Sequence, residues 1–421
     1  MFDFQIRELR LDNGSRVLLY NNPKQPLVSV NLWYKTGSAN DPAGKSGLAH
    51  LFEHMMFEGS LNVPKGEHFY IVQEAGGICN ASTSTDRTNY YEKVPKQYLE
   101  TMLWLEADRM ANFVAALTPE TLKNQIDVVT NERLERYDNQ PYGMMHEHLL
   151  NLLYPASHPY GKPVIGTRDE IGKYSMEDVS GFFRTYYSPA NATLIVAGDY
   201  DKSKITGLID KHFGTIPAGT DNPIPVIDPR DSLLPNKKYF EYRDNVELDY
   251  ISLAWKTAPV SFPQNIAFDL LGQILSGSKS SLLTKRLTID NRLAQNESAY
   301  EISGKYGGYF IVSAMAKPEV TLDTLKTIIL EEIDNLKTSD IDNALLNRSR
   351  VGYISYFING LQSISSLADK MNYYDFHFGN PNMFNDEYTA MKTLPAEEIK
   401  NLAKTYLNDN YCELRILKRT K

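Results

Sequence analysis

Apolar and polar residues alternate at the start of the chain. Residues 6–11 (IRELRL) and 16–20 (RVLLY) flank Asn13-Gly14, a dipeptide suited to the tight turn of a β-hairpin. A third strand-like run, Val28–Tyr34, follows Pro26. The period then changes. In GLAHLFEHMMFEGS (47–60), Leu48, Leu51, Phe52, Met55 and Met56 recur at spacings of three and four, which predicts an amphipathic helix. GGICNASTSTDRTNYYEKVP (76–95) returns to β character, rich in Thr and Tyr after a Gly-Gly turn. Residues 96–113 and 118–139 read as helices. The second has Thr118 as N-cap, Pro119 at the first helical position and acid in its first turn.

A similar order recurs downstream. YISLAWKTAP (250–259) echoes VSVNLWYKTGS (28–38), and the helix NIAFDLLGQILSGS (265–278) echoes GLAHLFEHMMFEGS, both ending in Gly-Ser. A β-like segment, a helix over 321–337 and another beginning near Ser339 follow. Between the halves, residues 214–238 carry five prolines and little periodicity, as a linker would. The pattern predicts an α+β protein of two homologous domains, each an antiparallel-rich sheet covered by helices. The expected divisions are 1–215, a linker at 216–235, and 236–421.

Composition narrows the chemistry. With 421 residues, 42% of them apolar and 23% charged, the chain is long enough for two sizeable cores. A net charge of −8 argues against nucleic acid or an anionic membrane as partner, and no apolar run is long enough to span a bilayer. The first residues lack a basic stretch followed by an apolar one, so the expected compartment is the cytoplasm, or the periplasm where a leader has been removed. Cys79 and Cys412 are the only cysteines. They form no thiolate metal set, so a metal must be held by nitrogen and oxygen.

The helix within 47–60 supplies such donors. His50 and His54, four apart, stack on one helical face and can reach one ion. Glu53 lies beside that face, within reach of a water on the ion. This is the mirror order of the HExxH zinc helix. The repeat acts as a control: aligning the Gly-Ser ends puts Phe268, Leu271 and Gly272 where the first half has His50, Glu53 and His54. The helix can be built without the polar trio, and polar groups on a buried face need partners. A catalytic zinc takes three protein ligands. Candidates for the third are His68, His146, His148, His158, His212, His377 and several carboxylates. Glu132, four after Val128 and three after Val129, points near the buried stripe of its helix, whereas Glu135 lies further round. Spacing equally allows Glu132 to be a surface partner of Arg136.

The chain resembles the M16 peptidases, the inverzincin group that includes pitrilysin, insulin-degrading enzyme and the mitochondrial processing peptidase. The resemblance covers nearly the whole sequence. It is carried by GLAHLFEHMMFEGS, GGICNASTSTDRTNYY, DVVTNERLERYDNQPYG and HPYGKPVIGT. It implies the M16/LuxS-like metallohydrolase fold and one Zn2+ per chain. His50 and His54 would be ligands, Glu53 the general base, and Glu132, 78 residues after His54, the third ligand. It further implies that Asn80, Ala81 and Ser82 lie on an edge strand that binds an extended peptide through its main chain. His158 and Tyr160 would border the site.

Two departures matter. Gln125 stands where many members carry a second glutamate, which alters the support of the metal site. Thr288 and Gln295 stand where complete members carry an arginine and a tyrosine that bind the substrate backbone, with Arg292 and Tyr300 the nearest substitutes. The implied protein is therefore the zinc-bearing catalytic subunit of a two-chain endopeptidase that cleaves unfolded peptides in a closed chamber. Its partner would be a second M16-like subunit bearing the Arg/Tyr pair, in a heterodimer, with a homodimer as the alternative. The rival readings are a non-catalytic structural or partner subunit, and a metal hydrolase that does not cut peptides.

Overall fold

The computed structural model describes residues 2–219, 223, 225, 227 and 233–419. Among the described residues, eleven strands form two sheets. The strands of the first are β1 (Ile6–Arg10), β2 (Arg16–Asn21), β3 (Leu27–Tyr34), β4 (Ile78–Thr83), β5 (Thr88–Pro95) and β6 (Ala192–Gly198); those of the second are β7 (Lys238–Asp244), β8 (Tyr250–Thr257), β9 (Ala294–Gly304), β10 (Gly307–Ala316) and β11 (Cys412–Lys418). The helices are α1 (Leu48–Met55), α2 (Glu67–Glu74), α3 (Leu99–Asn112), α4 (Pro119–Arg133), α5 (Met145–Leu153), α6 (Met176–Tyr186), α7 (Ile205–Phe213), α8 (Gln264–Ser276), α9 (Leu322–Thr338), α10 (Asn343–Gly360), α11 (Ile364–Phe378), α12 (Phe384–Thr393) and α13 (Ala396–Tyr406).

The hairpin at Asn13-Gly14 forms with Arg10 opposite Arg16. The sheet orders are β1-β2-β6-β3-β5-β4 and β7-β11-β8-β10-β9. Each contains one parallel pair, β2 with β6 and β7 with β11; all other neighbours are antiparallel. Setting β1 aside, both sheets use their strands in the same chain order: first, last, second, fourth, third. The internal repeat is thus a repeat of topology. In both halves the third strand of the set, β4 or β9, ends up at an open edge.

Packing groups the described residues into two compact units. One comprises 1–133, 162–225 and 360–382; the other 134–161, 226–359 and 383–421. The division expected at 1–215 and 236–421 follows chain order, whereas each unit takes a segment from the opposite half. α11 covers β3 and β6 in the first unit, and α5 covers β7 and β11 in the second. Much of the expected linker at 216–235 lies outside the described residues. The helix expected near Ser339 begins at Asn343, because the Asp342 carboxylate accepts the N–H groups of Ala344 and Leu345 and caps it there. Among the described residues, no helix is long and apolar enough to cross a membrane.

Candidate metal centre

The site is built on α1. Leu48, Ala49, Leu51, Phe52 and Met55 are buried, leaving His50, Glu53 and His54 on the flank that is not. Gly47 opens the helix at φ 88°, a left-handed value, and a Cβ there would lie 2.5 Å from the Ile165 carbonyl oxygen, so only glycine fits. Asp41 caps the same end. Its two carboxylate oxygens accept the N–H groups of Gly47 (2.7 Å) and Ala49 (2.8 Å). Burial pushes the Asp41 carboxyl up to about 8, against the pull of those two amide bonds.

α4 brings the third residue. It runs to Arg133 and continues as a π-turn over 134–138. The buried Arg133 guanidinium donates to the Gly166 carbonyl, and Gly166 lies against Gly47. One residue after Glu132, the chain is therefore tied to the segment that abuts the start of α1. Glu132 is half-buried and faces both imidazoles; Glu135 is exposed. Glu132 Oε2 lies 3.3 Å from His54 Nε2 and 3.9 Å from His50 Nε2, and the two rings sit edge-to-face with centroids 4.8 Å apart. One donor atom from each of the three residues falls within 4.8 Å of the others. A tetrahedral ion with bonds of about 2.1 Å sets its ligands about 3.4 Å apart. Two imidazole nitrogens and a carboxylate at these separations fit a zinc ion by both geometry and donor type.

Glu53 stands next to this trio without joining it. Its Oε2 accepts from the Thr83 hydroxyl at 2.5 Å. Burial raises the Glu53 carboxyl above its ordinary value, while the Thr83 hydroxyl and His54 draw it back. Thr83 ends β4, the edge strand that carries Asn80, Ala81 and Ser82. The bond from Ser84 N–H to the Arg87 carbonyl fixes the alternation: even-numbered residues of β4 turn their main chain to β5, and Cys79, Ala81 and Thr83 turn theirs outward. Asn80 Oδ1 accepts the outward Ala81 N–H at 2.9 Å. The edge thus offers outward main-chain groups on the strand whose last residue, Thr83, bonds Glu53.

The second half shows the same construction closed. Phe268, where the first half has His50, is buried against Phe310. Gly272 replaces His54, and a Cβ there would lie 2.7 Å from the Ala299 oxygen of β9. Helix and edge strand touch directly, leaving no room for a side chain between them.

Gln125 donates to Glu58 Oε1 at 2.8 Å, and Lys65 holds the other oxygen at 2.6 Å. A glutamate at 125 would face a carboxylate, so the neutral amide is matched to Glu58. Thr288 gives its hydroxyl to Glu297, while Gln295 and Arg292 are exposed. His158 and Tyr160 are not part of the trio. The His158 ring stacks on Tyr154, and the Tyr160 hydroxyl accepts from Tyr306 N–H. The other histidines have local roles: His146 beside Tyr309, His148 against Phe240 and Tyr242, His212 on Glu100, and His377 against Tyr373.

Sequence reading missed one cluster. His68, Glu92 and Glu106 converge in the interior with Arg109. Arg109 donates to both Glu106 oxygens, reaches Glu92 at 3.5 Å and lies over the Tyr90 ring at 4.1 Å. Burial, then Arg109, pushes His68 down to about 3, so its imidazole is neutral. The guanidinium supplies the positive charge between the two carboxylates, which makes this a buried ion network. The spacing Glu106–Arg109 on α3 was the available signal. Arg109→Leu would strand buried carboxylates and is expected to cost about 3–5 kcal/mol, read as a lower denaturant midpoint at unchanged slope.

The family model described as Insulinase (Peptidase family M16) matches residues 16–168, and that described as Peptidase M16 inactive domain matches residues 173–352. The chain is 32% identical over 362 residues to the zinc protease PqqE of Helicobacter pylori, covering 85% of this chain and 80% of that one. It is 23% identical to a probable mitochondrial-processing peptidase subunit beta of Arabidopsis thaliana, covering 96% and 77%. The crystal structure of a protease from Helicobacter pylori superposes with a TM-score of 0.91 at 28% identity, covering 99% of this chain and all of that one.

Proposed function

The chain belongs to the insulinase (M16) family of zinc proteases, and on that premise we propose that it is the catalytic subunit of an endopeptidase for unfolded peptides. The observation that carries this reading is the convergence of His50, His54 and Glu132, with Glu53 held beside them. The two neutral imidazoles and the ionised Glu132 would hold one zinc. When bound, zinc acidifies a water and polarises the scissile carbonyl. Glu53 accepts the proton of the attacking water and returns it to the leaving nitrogen. An extended peptide adds to β4, and its carbonyl replaces Asn80 Oδ1 at the Ala81 N–H. Main-chain recognition of this kind demands an unfolded segment and leaves the side chains loosely specified.

Thr288 and Gln295 favour a second subunit. Neither can act as the charged and phenolic donors that the family places there, and Thr288 is spent on Glu297. Two missing bonds at about 1–3 kcal/mol each would lower kcat/KM by about 10² or more if they act in the transition state. A homodimer repeats the gap; a heterodimer with an Arg/Tyr-bearing chain fills it. The test is hydrolysis of an unstructured peptide by this chain alone and with such a partner, with and without a chelator. Weak activity alone, a gain of about 10² with the partner and loss to the chelator are expected. Full activity alone would place the missing donors within this chain. No cleavage with a zinc-loaded complex would favour the non-catalytic reading.

A further inference from the structure

Arg87 sits at the end of the β4–β5 hairpin and spends one nitrogen on three acceptors. Its Nη1 donates to the Ser82 carbonyl (2.7 Å), the Ser82 hydroxyl (2.5 Å) and Asn89 Oδ1 (3.0 Å). Its guanidinium lies over the Trp33 ring at 5.0 Å. The anchor below is Asp369 of α11, whose Oδ1 accepts from Asn31 (3.3 Å), Trp33 Nε1 (3.1 Å) and Asn89 (3.3 Å). Ser82 also donates to Asn89 Oδ1 at 2.7 Å. The free edge of β4 is thus nailed down at one residue by a charged side chain, and that residue is bonded covalently to Thr83.

An open edge strand with no neighbour on one side is free to fray or shift. The next residue has a task that tolerates little movement, since the Thr83 hydroxyl holds Glu53 Oε2 and so sets which way the carboxylate faces. We propose that Thr83 and Arg87 are positioning residues of the reaction: Arg87 fixes Ser82, and Thr83, held in place by that fix, orients the Glu53 carboxylate. Substrate strand and general base then hang from the same dipeptide. A peptide that pairs with β4 in the wrong register, or that pulls the strand away, disturbs the base as well, so binding and chemistry are checked together. This rests on the catalytic reading above for its kinetic consequence, but not for its geometry.

Three variants test it in the assembled, zinc-loaded enzyme. Thr83→Val keeps shape and removes the hydroxyl. It is expected to lower kcat by about tenfold to 10² while KM stays within about twofold and zinc stays at the wild-type level. Thr83→Ser restores the hydroxyl and should return kcat to within about threefold of wild type. Arg87→Met frees Ser82, so KM should rise as kcat falls. Crystal structures of wild type and Thr83→Val supply a readout that needs no turnover. A Glu53 carboxylate displaced by about 1 Å or rotated supports the proposal. The same Glu53 position in both, kcat unchanged in Thr83→Val, or Thr83→Ser as impaired as Thr83→Val would overturn it. Wild-type enzyme without zinc-dependent cleavage refutes the peptidase reading alone, and the two structures still decide the orientation of Glu53.

Discussion

Glu53→Gln should fold and bind zinc as wild type does yet turn over about 10²–10⁴ times more slowly. The amide has the size and shape of the carboxyl and can still take the Thr83 hydrogen bond on its oxygen. What it lacks is basicity. Glu132 faces His50 and His54, and Glu58 is held by Gln125 and Lys65, so neither of these carboxylates is placed to compensate. The structure also predicts that the melting temperature hardly moves. Glu53 lies off the buried stripe of α1, and the substitution removes a carboxyl whose charged form burial disfavours. Metal analysis, a thermal melt and steady-state kinetics on one preparation separate the alternatives. Turnover within about tenfold of wild type would remove Glu53 from the role of base.

The second large effect is on the metal. Glu132→Ala and His54→Ala should each lose zinc and, with it, activity. Complete protein zinc sites bind with about 10–16 kcal/mol, so a site of three ligands loses roughly 3–5 kcal/mol with one of them, a fall in affinity of about 10²–10⁴. Glu135→Ala is the control. Glu135 is exposed three residues further along, beyond the point where α4 passes into its π-turn. Full zinc in Glu132→Ala with loss in Glu135→Ala would move the third ligand and, with it, the account of α4.

The polar residues of α1 were visible in the sequence because their spacing is local. His50, Glu53 and His54 lie within one helical turn and a half, and the apolar pattern of 47–60 fixes which face they occupy. Glu132 was different. Helical phase placed it near the buried stripe and allowed a surface partner of Arg136 as well; family resemblance favoured the ligand reading, and in the structure Glu132 lies 3.3 Å from His54. The repeat was legible as an order of strands and helices, and it reappears as two sheets of one topology. What could not be read was which sheet each helix covers. α5 and α11 are amphipathic helices, and an apolar stripe does not record the surface it meets, so the exchange of segments between the units left no trace in the pattern. Arg87 and Asp369 escaped for the same reason. They are far apart in sequence and act on the site through Asn89, Trp33 and Ser82, a network that only the packed structure assembles.

We propose that His50, His54 and Glu132 hold the zinc beside Glu53. Crystals of the purified chain, with diffraction recorded on both sides of the zinc absorption edge, test it most directly. One anomalous peak per chain is expected, about 2.0–2.2 Å from both imidazole nitrogens and a Glu132 oxygen. A zinc-loaded protein whose peak instead lies at His68, Glu92 and Glu106, or at no cluster containing His50 and His54, would contradict it.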